Sequence, residues 1–275
     1  MVFIVTALMI EAAPIIEYFK LKRDMNSHEY AIYRNESIAL IISGVGKIKS
    51  AMATVYLYCT YKATKNDYIL NIGFCGAGNA RYELGTMLII NKVTDMDTGR
   101  DLYPDVFFGH FLPQEAICCF SKPVHKEDFE NSTDFFCDME SSGIMEAARK
   151  LTYAHNVVIL KIISDYLSPD NLDKNVLQPL IKNQLCNIKR IIEELIQHNS
   201  NMDELILDKE KQAVDMLSKN LKFTEAMKQM LMKDIKKAKL KNLEPLKILE
   251  SLTVTTVNSK SEGKKIFEQI RQQLK

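Results

Sequence analysis

Three acidic residues stand directly behind apolar, strand-like runs: Glu11 a short bend after residues 2–7, Glu140 after 135–139, and Asp165 immediately after 157–164. Carboxyl groups in such places are the first candidates for chemistry in an open α/β sheet, because ligands gather outside the carboxyl ends of the strands. Together they can supply a general acid, a base for water and negative charge for a developing cation. Singly, each also has a structural use, since Glu at a helix start complements the macrodipole and Asp after a strand caps the next helix. Two glycine-rich stretches, Ser43-Gly44-Val45-Gly46-Lys47 and Asn71-Ile72-Gly73-Phe74-Cys75-Gly76-Ala77-Gly78, also follow strands. Both are read as turns whose backbone N–H groups approach an anion or a sugar hydroxyl. The first is no phosphate loop: the GxxxxGK[ST] spacing is absent, and its GxG lacks the third glycine and the acidic residue of a dinucleotide site. Three acids and two glycine turns on one sheet edge predict an anion or sugar pocket.

The elements that must position these residues are legible in the periodicity. Apolar runs at 2–7, 30–34, 38–43, 68–72, 86–93, 117–120 and 157–164 have β character, with helical patterns between them, and that order implies an α/β domain. Asn35-Glu36 reads as a hairpin turn and 48–61 as a helix on the sheet. A further helix is predicted at 141–153, where Ser142, Gly143, Ala147 and Ala148 allow close approach, and one from about Leu177 to His198 closes the domain.

Composition sets the outer limits. With 275 residues, 47% hydrophobic and 26% charged, the chain can bury a sizeable core, which excludes disordered and collagen-like classes. No apolar run approaches the roughly 20 residues that cross a bilayer, and the first residues lack the basic segment of a signal peptide, so a cytoplasmic location is expected. The six cysteines form no CxxC pair and have no histidine at zinc spacing, so buried, reduced thiols are expected and neither a metal nor a cofactor. The net charge of +1 hides an asymmetry: residues 1–185 hold 18 Lys+Arg against 22 Asp+Glu, and 186–275 hold 18 against 13. Nine of the ten glycines lie between Gly44 and Gly143, and all eleven tyrosines precede Asn171. The boundary is therefore set at 200, with a helical extension over 201–275 whose own core should be thin. Leu205, Ile206, Val214, Leu217 and Leu221 form one stripe; Met227, Met230, Leu231, Ile235 and Leu240 form another behind Thr224 as N-cap; Pro245 and 253–258 interrupt them. The lysines at 233, 236, 237, 239 and 241 have no interleaved aromatics and read as a solvated face, not a nucleic-acid surface.

The ordered set Ala7-Leu8-Met9-Ile10-Glu11, Ser43 to Lys47, Asn71 to Gly78, Asp138-Met139-Glu140-Ser141 and Ile163-Ser164-Asp165 resembles the purine nucleoside phosphorylase/nucleosidase superfamily, and within it the methylthioadenosine/S-adenosylhomocysteine nucleosidases. The resemblance covers about residues 1–199. It implies a three-layer αβα fold with a central mixed sheet and cleavage of an N-ribosidic bond through an oxocarbenium-like transition state. By motif, Asp165 corresponds to the general acid at purine N7, Ser164 to its hydrogen-bonding neighbour, Glu140 to the acceptor for ribose hydroxyls, Met139 to the residue beneath the sugar, and Glu11 to the carboxylate that orients water. Ser43, Gly44, Phe74, Gly76 and Lys161 are the further candidate substrate-binding residues. The resemblance also implies a homodimer or higher homo-oligomer; the extension is expected to pack on its own domain or extend a homodimer, because its apolar stripes need cover, with a protein partner as the alternative.

Water or phosphate as nucleophile is the open alternative. A phosphate needs fixed arginines and a water needs a carboxylate; Glu11 favours water, and Arg34 and Arg81 have no phosphate-binding counterpart. Phe74 stands where the nucleosidases carry Ser, adding bulk beside the expected water, and Lys161 stands where they carry Arg. The stretch 121–138 is short, leaving Pro123-Val124-His125 to read the base; His125 is a candidate contact to the base or 5′ side, set against a solvent-exposed loop histidine, and His110 is read the same way. Residues 95–111, with Asp97, Arg100, Asp101, Tyr103 and Asp105, form a candidate lid or dimer contact. A non-catalytic binding protein on the same fold is the third reading.

Overall fold

The computed structural model describes residues 1–107, 109–129, 134–168, 173–204, 208–241, 243–252, 255–257 and 259–274. The chain divides into two compact units, Met1–Asn199 and Ser200–Lys275. Its elements run β1 (Val2–Thr6), α1 (Met9–Tyr18), β2 (Lys22–Arg23), β3 (Ala31–Arg34), β4 (Ile38–Ile42), α2 (Lys47–Thr60), β5 (Tyr68–Ala77), β6 (Met87–Asp95), β7 (Arg100–Leu102), β8 (Gln114–Cys119), β9 (Phe136–Asp138), α3 (Ser141–Leu151), β10 (Val157–Asp165), α4 (Lys174–Asn183) and α5 (Leu185–Glu204). They continue as α6 (Asp208–Asn220), α7 (Glu225–Leu240), α8 (Pro245–Glu250) and α9 (Lys260–Gln273).

The first unit is α/β with a central mixed sheet. β1 lies parallel between β4 and β5, and β5 is parallel to β10. β10 runs antiparallel to β6, and β6, β8 and β9 lead back to β5, so this side of the sheet closes on itself. Every residue of β1 and β10 is buried. That burial on both faces explains why the two strands read as unbroken apolar runs instead of alternating ones. One face, with Phe3, Val5, Ile69, Ile159 and Ile163, packs with α2 and α3 residues such as Ala53, Leu57 and Ile144. The other, with Ile4, Leu70, Ile72 and Leu160, packs with Ile15 of α1, Ile181 of α4 and Ile188 to Leu195 of α5. The carboxyl ends of β1, β5 and β10 consequently lie side by side.

Three expectations need correction. Residues 71–77 are not a turn but the second half of β5; glycine within a strand marks a close approach there. The helix expected over 177–198 is two helices, α4 and α5, separated at Gln184, whose side-chain amide donates to the Gly85 carbonyl at 2.8 Å. Of the six thiols, Cys75, Cys119 and Cys137 are buried, but Cys59 and Cys186 are exposed.

The second unit has a closed core of its own. Val214, Leu217 and Leu221 of α6 meet Leu231 and Ile235 of α7, Leu249 of α8 and Phe267 and Ile270 of α9. Gly263 makes this possible, since a Cβ there would lie 2.0 Å from the Leu221 carbonyl oxygen. The Thr224 hydroxyl caps α7, accepting from Met227 N at 3.2 Å. Leu205, Ile206 and residues 253, 254 and 258 of the anticipated stripe and interruption lie outside the described residues. No helix among the described residues is long and apolar enough to cross a membrane.

Gly143 is the tightest helix contact of the first unit: a Cβ on it would sit 2.0 Å from the Lys47 carbonyl oxygen, where α3 crosses the start of α2. In an open helix Gly→Ala gains about 1 kcal/mol, but here backbone must move. Gly143→Ala is expected to destabilise the first unit by at least about 2 kcal/mol, lowering its melting temperature by roughly 5 °C, as read by thermal denaturation.

Candidate active site

Glu11 is the third residue of α1, and its carboxylate turns back onto the chain that leads into the helix. Oε2 accepts from Ala7 N at 2.7 Å and Leu8 N at 2.9 Å, and Oε1 accepts from Phe74 N on β5 at 3.1 Å. Burial raises its pKa despite those three bonds and the nearby Lys161 ammonium. Gly73 gives the carboxylate its room: a Cβ there would lie 3.0 Å from Glu11 Oε1.

Glu140 precedes α3 at its N-cap position. Its Oε1 accepts from Gly46 N at 2.9 Å, and its carbonyl accepts from the Ser50 hydroxyl at 3.1 Å. Gly44 and Gly46 have φ of +82° and +111°, a left-handed backbone that favours glycine. The first glycine turn therefore does present an N–H to an anion, but that anion is the protein's own Glu140. The Ser43 hydroxyl donates inward, to Thr6 O at 3.2 Å or Gly44 O at 2.8 Å.

Asp165 ends β10 through a bulge: Ile163 pairs with Cys75 and Asp165 with Gly76, leaving Ser164 as the extra residue. A bulge bends its strand and re-aims the side chains around it. Asp165 Oδ2 accepts from the Ser164 hydroxyl at 2.6 Å, and Oδ1 from Ser168 N at 2.8 Å. Ser164 has a second acceptor in the Cys75 carbonyl at 3.2 Å. A Cβ at Gly76 would meet Cys137 Sγ at 3.1 Å and Asp165 Oδ1 at 3.5 Å, so glycine keeps this edge of the strand open.

The three acids open onto one cavity of about 210 Å³, which Phe74, Gly76, Met139 and Ser164 also line. Ser43, Gly44 and Lys161 do not line it. The reason is positional for the first two, whose turn braces Glu140 from outside, and electrostatic for Lys161, whose ammonium binds Asp138 at 2.8 Å with both side chains buried. Pro123 and Val124, of the stretch expected to read the base, line the cavity too, as do Ala7, Leu8, Val45, Cys75 and Asp138 from the quoted motifs; Lys122, Cys137 and Leu177 line it without having been assigned to the site from the sequence. Asp138 had a signal, its place beside Met139-Glu140; Leu177 and Lys122 had none, because only folding brings them here. Phe74 points its ring into the apolar layer shared with α1 and α4, so its bulk shapes the wall while its backbone holds Glu11. His125 does not line the cavity, and its backbone N–H donates to Asp128 at 2.8 Å; His110 is exposed.

Among the described residues no arginine lines the cavity. Arg34 is bonded to Asp24 at 3.2 Å in a separate open groove of about 640 Å³, and Arg81 to Glu115 at 2.6 Å. That larger groove, between 20–25 and 34–37, contains none of the three acids. The segment expected as a lid is tied down by ion pairs: Lys47 meets Asp95 and Asp97 at 2.9 Å each, and Arg100 meets Glu146 at 3.1 Å. Among the described residues no group of three His, Cys, Asp or Glu side chains is arranged to hold a metal ion.

Residues 2–129 match the phosphorylase superfamily. A 5′-methylthioadenosine/S-adenosylhomocysteine nucleosidase of Buchnera aphidicola is 25% identical over 221 residues, 66% of this chain and 91% of that protein. An aminodeoxyfutalosine nucleosidase of Campylobacter jejuni is 28% identical over 121 residues, 42% of this chain and 49% of that protein. Among solved structures, a 5′-methylthioadenosine/S-adenosylhomocysteine nucleosidase of Helicobacter pylori shares the fold with a TM-score of 0.58 at 14% identity, over 70% of this chain and 97% of its own.

The burial of Glu140 has a measurable consequence. Burial raises its pKa from 4.5 to about 7, with Asp138 and Glu11 adding to the rise and Lys161 and the Gly46 N–H opposing it. A raised carboxyl pKa stabilises the fold below about 4.5, and that contribution is lost as pH rises through about 7. Glu140→Gln keeps an acceptor for Gly46 and carries no charge. It is expected to match the parent near pH 4.5 and to exceed its stability by on the order of 1–3 kcal/mol at pH 8, as compared by urea denaturation at the two pH values.

Proposed function

We propose, from the match of residues 2–129 to the phosphorylase superfamily, that the protein hydrolyses the N-ribosidic bond of a purine nucleoside of the methylthioadenosine/S-adenosylhomocysteine type. The observation that carries the reading is the convergence of Glu11, Glu140 and Asp165 on one cavity that no arginine lines among the described residues. Phosphate as nucleophile would need fixed cationic forks; here Arg34 and Arg81 are engaged elsewhere, which favours water.

The chemistry follows from the placement of the acids. As the bond from the anomeric carbon to purine N9 breaks, its electron pair moves onto the base and positive charge grows on the sugar. Buried carboxylates at Glu11 and Glu140 stabilise that charge where water cannot screen it. Asp165 donates a proton to N7 of the departing purine. The Ser164 hydroxyl, with acceptors on both Asp165 and the Cys75 carbonyl, can turn to the carbonyl while Asp165 holds its proton. Glu11, whose pKa burial raises, takes a proton from the water that attacks the anomeric carbon. Glu140 accepts from the ribose hydroxyls, and Met139 packs beneath the ring. The apolar residues Leu8, Val45, Phe74 and Leu177 suit the apolar thioether portion of the 5′ substituent.

The same reading extends to assembly and location. Ile48, Met52 and Val55 of α2 are exposed, Ile48 to 77%, at a spacing that puts them on one helix face, and Val45 of the cavity wall precedes them. This stripe supports a homodimer that buries α2 beside the site. The protein is placed in the cytoplasm.

Two measurements test this. Purified protein incubated with methylthioadenosine, S-adenosylhomocysteine, aminodeoxyfutalosine, adenosine or inosine is expected to release free base without added phosphate, and Asp165→Asn to lower the rate by roughly 10²–10⁴-fold. Release that requires phosphate overturns hydrolysis in favour of phosphorolysis, and no release from any of them overturns the enzyme reading. Light scattering is expected to give a dimer, and Ile48→Glu with Met52→Glu a monomer; a monomeric parent refutes the α2 interface.

A further inference from the structure

We propose that Asp138 and Lys161 are positioning residues: Lys161, held by Asp138, is the internal counter-charge that favours the anionic forms of Glu11 and Glu140 around the sugar. The proposal rests on the cleavage reading above and adds two groups that need not touch substrate. Lys161 leaves β10 beneath the cavity, 1% exposed, and its ammonium lies 2.8 Å from Asp138 Oδ2, a side chain with no exposure. Asp138 is fully engaged, since Ser141 N donates to Oδ2 at 2.9 Å and the Ser141 hydroxyl to Oδ1 at 2.7 Å. The pair thus anchors the ammonium to the start of α3, the helix that Glu140 precedes.

Gly73 brings the charge to Glu11. Lys161 pairs with Gly73 across β10 and β5, and a Cβ on that glycine would sit 3.0 Å from Glu11 Oε1 and 3.5 Å from Lys161 Nζ. Both groups lie over the same bare stretch of strand. Among the described residues no second buried cation stands beside the acids: Lys122, which also lines the cavity, is exposed. Lys47 on α2 is committed to Asp95 and Asp97, Cys75 on β5 and Cys137 on β9 are thiols whose pKa burial raises, and Asp165 at the end of β10 is a carboxyl group that supplies no positive charge. One ammonium therefore serves three buried carboxylates, Glu11, Glu140 and Asp138.

Like charges in a buried site cannot all ionise without compensation. Burial on its own would drive a proton off Lys161, but Asp138, Glu140 and Glu11 together outweigh it, so the ammonium stays charged. The count leaves a negative excess, which suits a site that must welcome a cationic sugar. Lys161 limits that excess and opposes the rise that burial gives both glutamates. Its two sides act in opposite senses: without the ammonium a glutamate takes up a proton at higher pH, and without Asp138 the glutamates hold their charge to lower pH.

The test is a pair of variants in the full chain. Lys161→Met is expected to move the acidic limb of kcat/KM for the cleaved nucleoside up by about one pH unit or more, and Asp138→Asn to move it down; Lys161→Arg, which keeps the charge, should leave it within a few tenths of a unit even if kcat falls. In parallel, carboxyl ¹³C NMR of protein labelled at glutamate Cδ, assigned with Glu11→Gln and Glu140→Gln, should show the same opposed displacements in the glutamate titrations. That readout needs no turnover, so it decides the inference even if no nucleoside is cleaved. If Lys161→Met does not fold, Lys161→Gln and Asp138→Asn carry the same opposed expectation. Limbs and titrations that stay in place, or move in one direction in both variants, would show the pair to be structural only and overturn the proposal.

Discussion

Burying several carboxylates at one end of a sheet is the constraint around which the first unit is arranged. Glu11, Asp138, Glu140 and Asp165 come from four different elements, yet all face one cavity of about 210 Å³. Such a cluster repels itself and loses hydration, so each member needs donors in place before any ligand arrives. The donors are mostly backbone: Ala7, Leu8 and Phe74 for Glu11, Gly46 for Glu140, Ser141 for Asp138 and Ser168 for Asp165. Backbone amides are fixed by the fold, so these carboxylates are oriented without the entropy cost of ordering further long side chains.

Space is made for this by glycines that a side chain would spoil. Gly73 admits the Glu11 carboxylate and the Lys161 ammonium to the same face of β5, and Gly76 leaves room between Cys137 and Asp165. Gly46 does something different, offering its N–H from a left-handed turn. Gly143 lets α3 lie against α2, which fixes the start of α3, where Glu140 and the Asp138–Ser141 bonds sit. Packing and electrostatics are thereby coupled: a shift of the helices would loosen the donors that hold the acids.

The two units differ in how they reach stability. The first relies on strands buried on both faces and on two apolar layers that cover them. The second, poor in aromatics, closes a small helical core through capped helices and the close approach at Gly263. Its charge is drawn partly into pairs, with Lys239 on the buried Glu210 at 2.8 Å and Arg271 on Asp234 at 2.6 Å, so the positive excess of the extension is not one free surface.

The sequence by itself determined the α/β class, the strands and helices that precede each acid, and the identity of the three acids that open onto one cavity. Those features depend on local periodicity and on what directly follows a strand, which are written in neighbouring residues. It did not determine that residues 71–77 continue as strand, because an extended Gly73 and Gly76 are chosen by the approach of Glu11 and Asp165 from elsewhere in the chain. Nor did it determine that Lys161 would turn to Asp138 instead of lining the cavity, that Leu177 and Lys122 would complete the wall, or that the extension would close a core of its own. Each of these depends on partners tens of residues away. Where a side chain finds its counter-charge or its cover is decided by packing across elements, and only the tertiary structure specifies that.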